Sequence, residues 1–511
     1  MPMMGKQRLL FADRVCAVVA TSSAHKALRQ LREARRYTRT IELRLDWLRS
    51  DSERSKFLAA LPRYRGNGLT LIATCRRILG GGKLSGGAEA ELYWLTQSRK
   101  AGCEWCDIEV ETLRELPGQS ARDLPVPPRI LLSFHDFEGT PPIPQKLTRA
   151  GPREADAIKI AGRARTISDS LRLLRLASAS RNTVAIPMGE IGLAARLLTL
   201  REGSALAYAP VAQATAPGQV SLHDFKRLYR ADTITRKTEV YGVIGTPIAH
   251  SLSPLLHNTG FVAKKCDAVF LPFLVENLQE FVNAIPEFRL AGLSVTLPHK
   301  QTIMKYLSEC EPMAGKIGAV NTVIVGKDGK LRGSNTDYLG VLRALEGKLR
   351  MRGSRVLILG AGGSARAAAF ALGNAGAEVL ICARRESAAR ELARVCGGEV
   401  IARNHLTSER FALIVNATPV GMYPRAGGSP LSSRELNCNV LMDLIYRPLR
   451  TKLLRIAAEK GIRVVSGLEM FLAQGFAQWE LWAKKPAPEA AMRRAVLAQL
   501  RTDETTRIKN Q

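Results

Sequence analysis

The sequence predicts an α/β protein in two parts: a closed (β/α)8 TIM barrel, then a two-domain unit whose second domain is Rossmann-like. Three observations predict it. Between Val15 and Pro210 eight short β-rich runs recur, separated by stretches rich in Ala, Leu and Arg, the count of a barrel over ~200 residues. At Arg355–Arg366 an apolar run enters a glycine-rich turn and then an Ala-rich stretch, RVLILGAGGSAR, the strand–turn–helix that brings a pyrophosphate to a helix start. Between them, Lys226 to Lys237 is basic and poor in apolar residues, as a linker is.

Composition bounds the rest. At 511 residues the chain exceeds what one core usually organises. No apolar run reaches membrane-spanning length, and Asp13 and Arg14 interrupt the only early apolar stretch, so neither a membrane span nor a cleaved signal is expected. Nine scattered cysteines fit a reducing cytoplasm. Cys103 and Cys106 form a CxxC with no second pair, so they are read as ordinary thiols and no metal is expected. The net charge of +29 is spread along the chain, and aromatics are only 6%. That pattern favours a basic surface attracting anionic metabolites over specific nucleic-acid binding. Oligomeric state is not legible.

In order, the eight runs are VCAVVA (15–20), TIELRLD (40–46), LTLIATC (69–75), CDIEVE (106–111), RILLSF (129–134), AIKIA (157–161), TVAIPM (183–188) and ALAYAP (205–210). Polar residues fall at or just past their C-terminal ends, where a barrel places its chemistry. Glu42, Arg44 and Asp46 stand on run two, and Arg76 and Arg77 follow run three. Asp107, Glu109 and Glu111 stand on run four, His135 and Asp136 end run five, and Lys159 sits inside run six. A lysine within an apolar strand is costly unless neutral or paired. Desolvation, with arginines nearby, is expected to lower its pKa and make an amine nucleophile suited to Schiff-base chemistry on a ketone. A snorkelling edge lysine is the alternative.

The stretches IELRLD, SFHDF, AIKIAG and TAPGQ resemble, in type and order, those of type I 3-dehydroquinate dehydratases, from Arg14 to about Arg230. The resemblance implies that Lys159 forms an imine with the substrate ketone. It makes His135 the acid–base group and Glu109 its orienting partner, and assigns Glu42, Arg44, Arg76, Arg196, Thr215 and Gln219 to the substrate's carboxylate and hydroxyls. Thr215 stands where many members carry serine. The loop Gly80 to Gly87 is unusually rich in glycine and is expected to be mobile.

Past the linker come VYGVIG, then SLSP opening a helix at Pro254, AVFLPFLV and LAGLSVTLPHK. Hydroxyls at a helix start make a carboxylate cradle or a plain N-cap. Gly360, Gly362 and Gly363 form the glycine turn. The next apolar run, Glu378 to Cys382, ends in Ala383-Arg384-Arg385. An acidic residue there would hold the ribose of NAD; two arginines favour the 2′-phosphate of NADP.

These stretches, with GAVNT, NTD, NATPVGM, DLIYRP and GLEMFLAQG, resemble shikimate dehydrogenases from Glu239 to about Trp482. The resemblance implies a catalytic pair of Lys300 and Asp337, substrate contacts from Ser251, Ser253, Thr296, Asn321, Asn335 and Gln474, and NADP contacts from Gly360, Gly362, Gly363, Ser364, Ala365, Arg384, Arg385, Asn416 and Thr418. Ser294 and Ala383 stand where many members have asparagine. The expected division is 1–230 barrel, 231–238 linker, 239–342 substrate domain, 343–465 NADP domain, and 466–511 helices returning to the substrate domain. The combined resemblance is to the fused dehydratase/dehydrogenase family of plants, acting on the small molecules 3-dehydroquinate, 3-dehydroshikimate and shikimate. Two alternatives stay open: a metabolite-sensing regulator on the same folds, and a second half that oxidises quinate.

Overall fold

The computed structural model describes residues 10–64, 66, 68–116, 120–140, 155–212, 219–423 and 425–509. The chain folds as two compact units, Met1–Thr238 with Phe273–Phe288, and Glu239–Pro272 with Arg289–Gln511.

The first unit is built on eight strands: β1 Val15–Val19, β2 Thr40–Arg44, β3 Thr70–Thr74, β4 Trp105–Glu109, β5 Arg129–Asp136, β6 Ala157–Arg163, β7 Thr183–Met188 and β8 Ala207–Pro210. They are parallel in the order β7-β6-β5-β4-β3-β2-β1-β8. Across the remaining gap the Ala205 amide donates to the Thr183 carbonyl at 2.9 Å, nearly completing the barrel. Strand residues are buried on both faces, which is why the runs read as continuous apolar segments. At the N-terminal end Phe11 stacks on Trp105, ring centroids 4.3 Å apart, above Cys16, Ile72, Leu131, Val184 and Leu206.

Two boundaries differ from the sequence reading. Asp46 lies beyond β2 in the turn Leu45–Trp47, and Glu111 lies in the helix Val110–Arg114; both strands stop once they have delivered their inward-facing carboxylates. The helix Leu278–Phe288 also belongs to this unit. Glu280 accepts from the Ser168 amide and hydroxyl at 2.8 and 2.7 Å. Arg175 pairs with Glu287 at 2.9 and 2.6 Å, and the buried Arg201 donates to the Phe288 carbonyl at 2.6 Å.

The second unit has two sheets. The first comprises β9 Glu239–Gly245, β10 Ala268–Leu274, β11 Leu290–Val295, β12 Glu309–Cys310, β13 Thr322–Val325 and β14 Leu331–Ser334, in the order β10-β9-β11-β13-β14-β12. The second comprises β15 Arg355–Leu359, β16 Glu378–Cys382, β17 Glu399–Val400, β18 Phe411–Asn416, β19 Cys438–Asp443 and β20 Arg463–Ser466, in the order β17-β16-β15-β18-β19-β20. All pairs of the second sheet are parallel. The order reverses between β15 and β18, the switch point where open α/β sheets bind ligands. The helix Gly467–Ala483 returns to the first sheet, where the Trp482 indole N–H donates to the Val323 carbonyl at 3.1 Å. A Cβ on Gly340 would come within 2.9 Å of the Met470 carbonyl, so this helix packs backbone to backbone with Asp337–Leu345. No described helix is long and apolar enough to cross a membrane.

Candidate active sites

In the barrel, register decides which side chains meet. Glu109, Ser133 and Lys159 are opposite one another on β4, β5 and β6, and Thr74 is opposite Asp107 on β3 and β4. Lys159, 2% exposed, pairs with Asp107 and stands 3.5 Å from Glu42 Oε1. The Tyr208 ring lies under its ammonium, 4.8 Å to the centroid. Its immediate partners are therefore carboxylates rather than the arginines the sequence suggested. Glu42 also accepts from Thr74 Oγ1 at 2.9 Å.

Glu109 links the lysine cluster to the histidine. Its Oε1 accepts from Arg76 Nε at 2.6 Å and Ser133 Oγ at 3.0 Å, and its Oε2 lies 3.1 Å from His135 Nδ1. Burial alone raises a carboxyl pKa; here His135 and Arg76 outweigh it and hold Glu109 well below the usual range. Burial also works to raise Asp107, and Lys159 and Arg76 pull it down. Burial lowers His135, and Arg76 lowers it further against the pull of Glu109, so the imidazole is neutral near pH 7. A carboxylate can only accept, so Nδ1 carries the proton and Nε2 is left as a base.

Arg76 and Arg77 point opposite ways. Arg76 turns inward to Glu109 and to Asp107, 3.4 Å away. Arg77 turns outward to Glu91 at 3.2 Å and Glu115 at 2.7 Å. The glycine loop then folds back on Arg76: a Cβ on Gly82 would lie 2.0 Å from the Arg76 carbonyl, and one on Gly81 2.4 Å from the Phe137 ring. Arg44 is held by Asp46 at 2.9 and 2.7 Å. Arg196 donates twice to the Pro187 carbonyl, at 3.1 and 2.9 Å, and burial pushes its guanidinium down to about 10. Gln219 is half-buried. Thr215 lies outside the described residues. The residue missed from the candidate set is Asp107. It stands two positions before Glu109 on one strand, hence on the same face, and that spacing was the available signal.

In the second unit Lys300 Nζ donates to Asp337 Oδ2 at 2.5 Å and to Ser364 Oγ at 3.1 Å. Asn321 donates to Asp337 Oδ1 at 2.8 Å and to Gln474 Oε1 at 3.3 Å, and its own oxygen takes the Thr336 amide at 2.8 Å. Asn335 binds backbone on both sides: the Ala319 carbonyl at 2.8 Å, and the Asp337 amide at 3.0 Å. It thereby starts the helix that presents Asp337. Ser251 Oγ accepts from the Ser253 amide at 3.2 Å, ahead of the helix Ser253–Ala263 with Pro254 in its first turn. Thr296 is half-buried after β11. Its methyl would lie 2.5 Å from a Cβ on Gly245, so glycine there makes its room. Gln478, one turn after Gln474, went unread. Its amide binds Ser294 Oγ at 3.2 Å, the Asn321 carbonyl at 2.9 Å and Thr322 Oγ1 at 3.0 Å.

The glycine turn stands at the end of β15. Gly360 has φ +109°, and a Cβ there would lie 3.2 Å from the Ala417 carbonyl. Gly362 precedes the helix Gly363–Asn374, whose first amides have no intrahelical partner. Ala365 is buried in the core and offers only backbone. Arg384 and Arg385 are exposed just past β16, and neither forms an ion pair among the described residues. Asn416 is fully buried. It donates to Asp443 at 2.9 Å and accepts from the Thr418 amide at 3.0 Å and hydroxyl at 2.7 Å, shaping the loop beside the glycine turn. Burial pushes Asp443 up to about 6.

Residues 15–236 match the family Type I 3-dehydroquinase. Residues 243–323 match the Shikimate dehydrogenase substrate binding domain, and residues 467–497 the Shikimate 5'-dehydrogenase C-terminal domain. The chain is 32% identical over 497 residues to the chloroplastic bifunctional 3-dehydroquinate dehydratase/shikimate dehydrogenase of Arabidopsis thaliana, covering 92% of this chain and 80% of that one. It is 40% identical over 274 residues to the shikimate dehydrogenase (NADP(+)) of Bacillus cereus, covering 51% of this chain and 99% of that one. With both halves matched in one chain, the protein belongs to the bifunctional 3-dehydroquinate dehydratase/shikimate dehydrogenase family.

Proposed function

We propose that the chain dehydrates 3-dehydroquinate to 3-dehydroshikimate through an imine on Lys159, then reduces that product to shikimate with NADPH. The observation that carries the reading is a matched set of contacts. A buried lysine held by carboxylates stands beside a neutral, carboxylate-oriented histidine in the barrel, and a second lysine–aspartate pair stands beside a glycine turn.

In the barrel, Asp107 or Glu42 takes the one proton that the Lys159 ammonium sheds before its amine attacks the ketone, and the second passes from nitrogen to the former ketone oxygen as the carbinolamine forms. Loss of water from the carbinolamine gives the iminium, which acidifies the adjacent C–H. His135 Nε2 removes that proton, and the resulting imidazolium, held by Glu109, returns it to the departing hydroxyl. Hydrolysis of the imine frees the amine. Arg44, Arg76 and Arg196 supply the cationic side of the pocket for the substrate's carboxylate, with Gln219 and Thr215 assigned to its rim.

In the second unit, the glycine turn, the first amides of Gly363–Asn374 and the free guanidiniums of Arg384 and Arg385 suit a dinucleotide with an extra phosphate. NADPH supplies the hydride when bound. Lys300 delivers a proton to the oxygen that gains charge, and Asp337 holds the ammonium in place. Asn321, which donates to Asp337 and Gln474, is assigned with Gln474, Ser251, Ser253 and Thr296 to the substrate's contacts; Asn335 and Asn416 act by holding backbone. Nine free thiols suit a reducing compartment such as the cytoplasm. Both sets of reactive side chains are in contact, which favours an enzyme over a sensor built on the same folds.

The test is a coupled assay with 3-dehydroquinate and NADPH. Shikimate should form. Lys300→Ala should stop at 3-dehydroshikimate, whereas Lys159→Ala should consume NADPH only when 3-dehydroshikimate is supplied. No turnover of either compound by a folded chain, or NAD-linked oxidation of quinate alone, would overturn the reading.

A further inference from the structure

Resting on that reading of the reductase, we infer that Ser364 is a positioning residue for Lys300, acting through the lysine rather than through the cofactor. Ser364 is the second residue of the helix Gly363–Asn374, where the sequence pattern alone suggests a phosphate contact. Its Oγ instead accepts from Lys300 Nζ at 3.1 Å, while Asp337 Oδ2 accepts from the same nitrogen at 2.5 Å.

An ammonium has three donors. Two are fixed by Asp337 and Ser364, so the direction of the third, the one available to a substrate oxygen, is set. With Asp337 alone the head group could swing about a single contact on a flexible four-carbon stem. The backbone and stem of the lysine are held as well. The Lys300 carbonyl accepts from the Val320 amide at 2.7 Å. Its stem lies across Gly363 so closely that a Cβ there would sit 2.9 Å from Lys300 Cβ and 3.0 Å from Cδ. Glycine at 363 therefore serves the lysine as well as the turn, and Gly363-Ser364 forms a seat that carries Lys300 from the end of β11 to the start of the nucleotide helix. The lysine and the cofactor turn are thus aligned by direct contact.

Steady-state kinetics of 3-dehydroshikimate reduction by the full chain tests this. Ser364→Ala should lower kcat ~10-fold, the scale of a misdirected catalytic group, with the KM for NADPH changed less than about twofold. Ser364→Thr, which keeps the hydroxyl, should recover most of the loss, and dehydration of 3-dehydroquinate by both variants should be unaltered. A Ser364→Ala enzyme with raised KM for NADPH and unchanged kcat would make Ser364 a cofactor contact and overturn the inference. Unchanged kinetics in both variants would overturn it as well. If Lys300→Ala itself reduces 3-dehydroshikimate normally, the reading of the reductase fails rather than the role of Ser364.

Discussion

The two reactive lysines make the instructive contrast. Both face an aspartate, yet Lys159 is enclosed by Asp107, Glu42 and the Tyr208 ring with its side chain 3% exposed, whereas the Lys300 side chain is 14% exposed and shares its nitrogen with a serine hydroxyl. In the barrel all the neighbours come from strands and are locked by parallel register, which suits the covalent role proposed for Lys159. In the second unit the neighbours come from a helix start and a glycine turn, which suits the proton transfer proposed for Lys300. On that proposal, burial and the source of the neighbours, more than residue identity, separate the two chemistries.

The largest expected effect breaks the contrast at its buried end. Lys159→Ala should lower dehydration at least ~10³-fold, because among the described residues no other lysine is buried and the covalent route is lost with it, while leaving reduction of 3-dehydroshikimate intact. Near-normal dehydration in separate initial-rate assays would break the contrast. Next, Lys300→Ala should cost ~10²-fold in reduction, as loss of a proton donor does, with cofactor KM little changed; a pure rise in the KM for 3-dehydroshikimate would recast it as a binding residue. Smaller still, Arg384→Ala should raise the KM for NADPH ~10-fold and leave that for NADH alone, the value of one charge-assisted contact to a phosphate. Equal losses with both cofactors would count against the assignment.

The smallest effect concerns stability. Glu91 is fully buried, one oxygen is without a partner, and burial pushes its carboxyl up to about 7 despite Arg77 at 3.2 Å. A folded value above the unfolded one means that the folded state binds the extra proton, so stability falls as pH rises from about 4.5 to about 7. At ~1.4 kcal/mol per unit the full span is at most about 3.5 kcal/mol. Glu91→Gln should therefore flatten the fall in barrel Tm between pH 5 and 8 by a few degrees. An unchanged slope would show that the burial of Glu91 is not felt.

Much of this was legible in the sequence because single polar residues interrupt apolar runs. Lys159 stood out in that way; the strand ends offered His135 with Asp136, Arg76 with Arg77, and Glu109 with Asp107 and Glu111, and the resemblance chose among them. Asp107 was visible yet passed over, since its meeting with Lys159 depends on β4 and β6 flanking β5 in register. The inward turn of Arg76 and outward turn of Arg77 are likewise set by the chain leaving β3. Gln478 was hidden because a glutamine on a buried helix has no pattern until its neighbours are known. Nothing marked Leu278–Phe288 as part of the barrel's unit, because its polar contacts are an ion pair, hydrogen bonds from Ser168 and a bond to its last carbonyl, all between distant residues. Ser364 was assigned to the cofactor by the resemblance, and only the approach of Lys300 suggests otherwise.

The central proposal is that two lysines do different chemistry in one chain. Treating the full-length protein with 3-dehydroquinate and borohydride, then mapping the adduct by peptide mass and assaying both activities of the same sample, tests it most directly. The account predicts one substrate-sized adduct, on the peptide containing Lys159, with dehydration abolished, Lys300 unlabelled and reduction of 3-dehydroshikimate retained. An adduct on any other lysine, or loss of dehydration with no adduct at all, would contradict it.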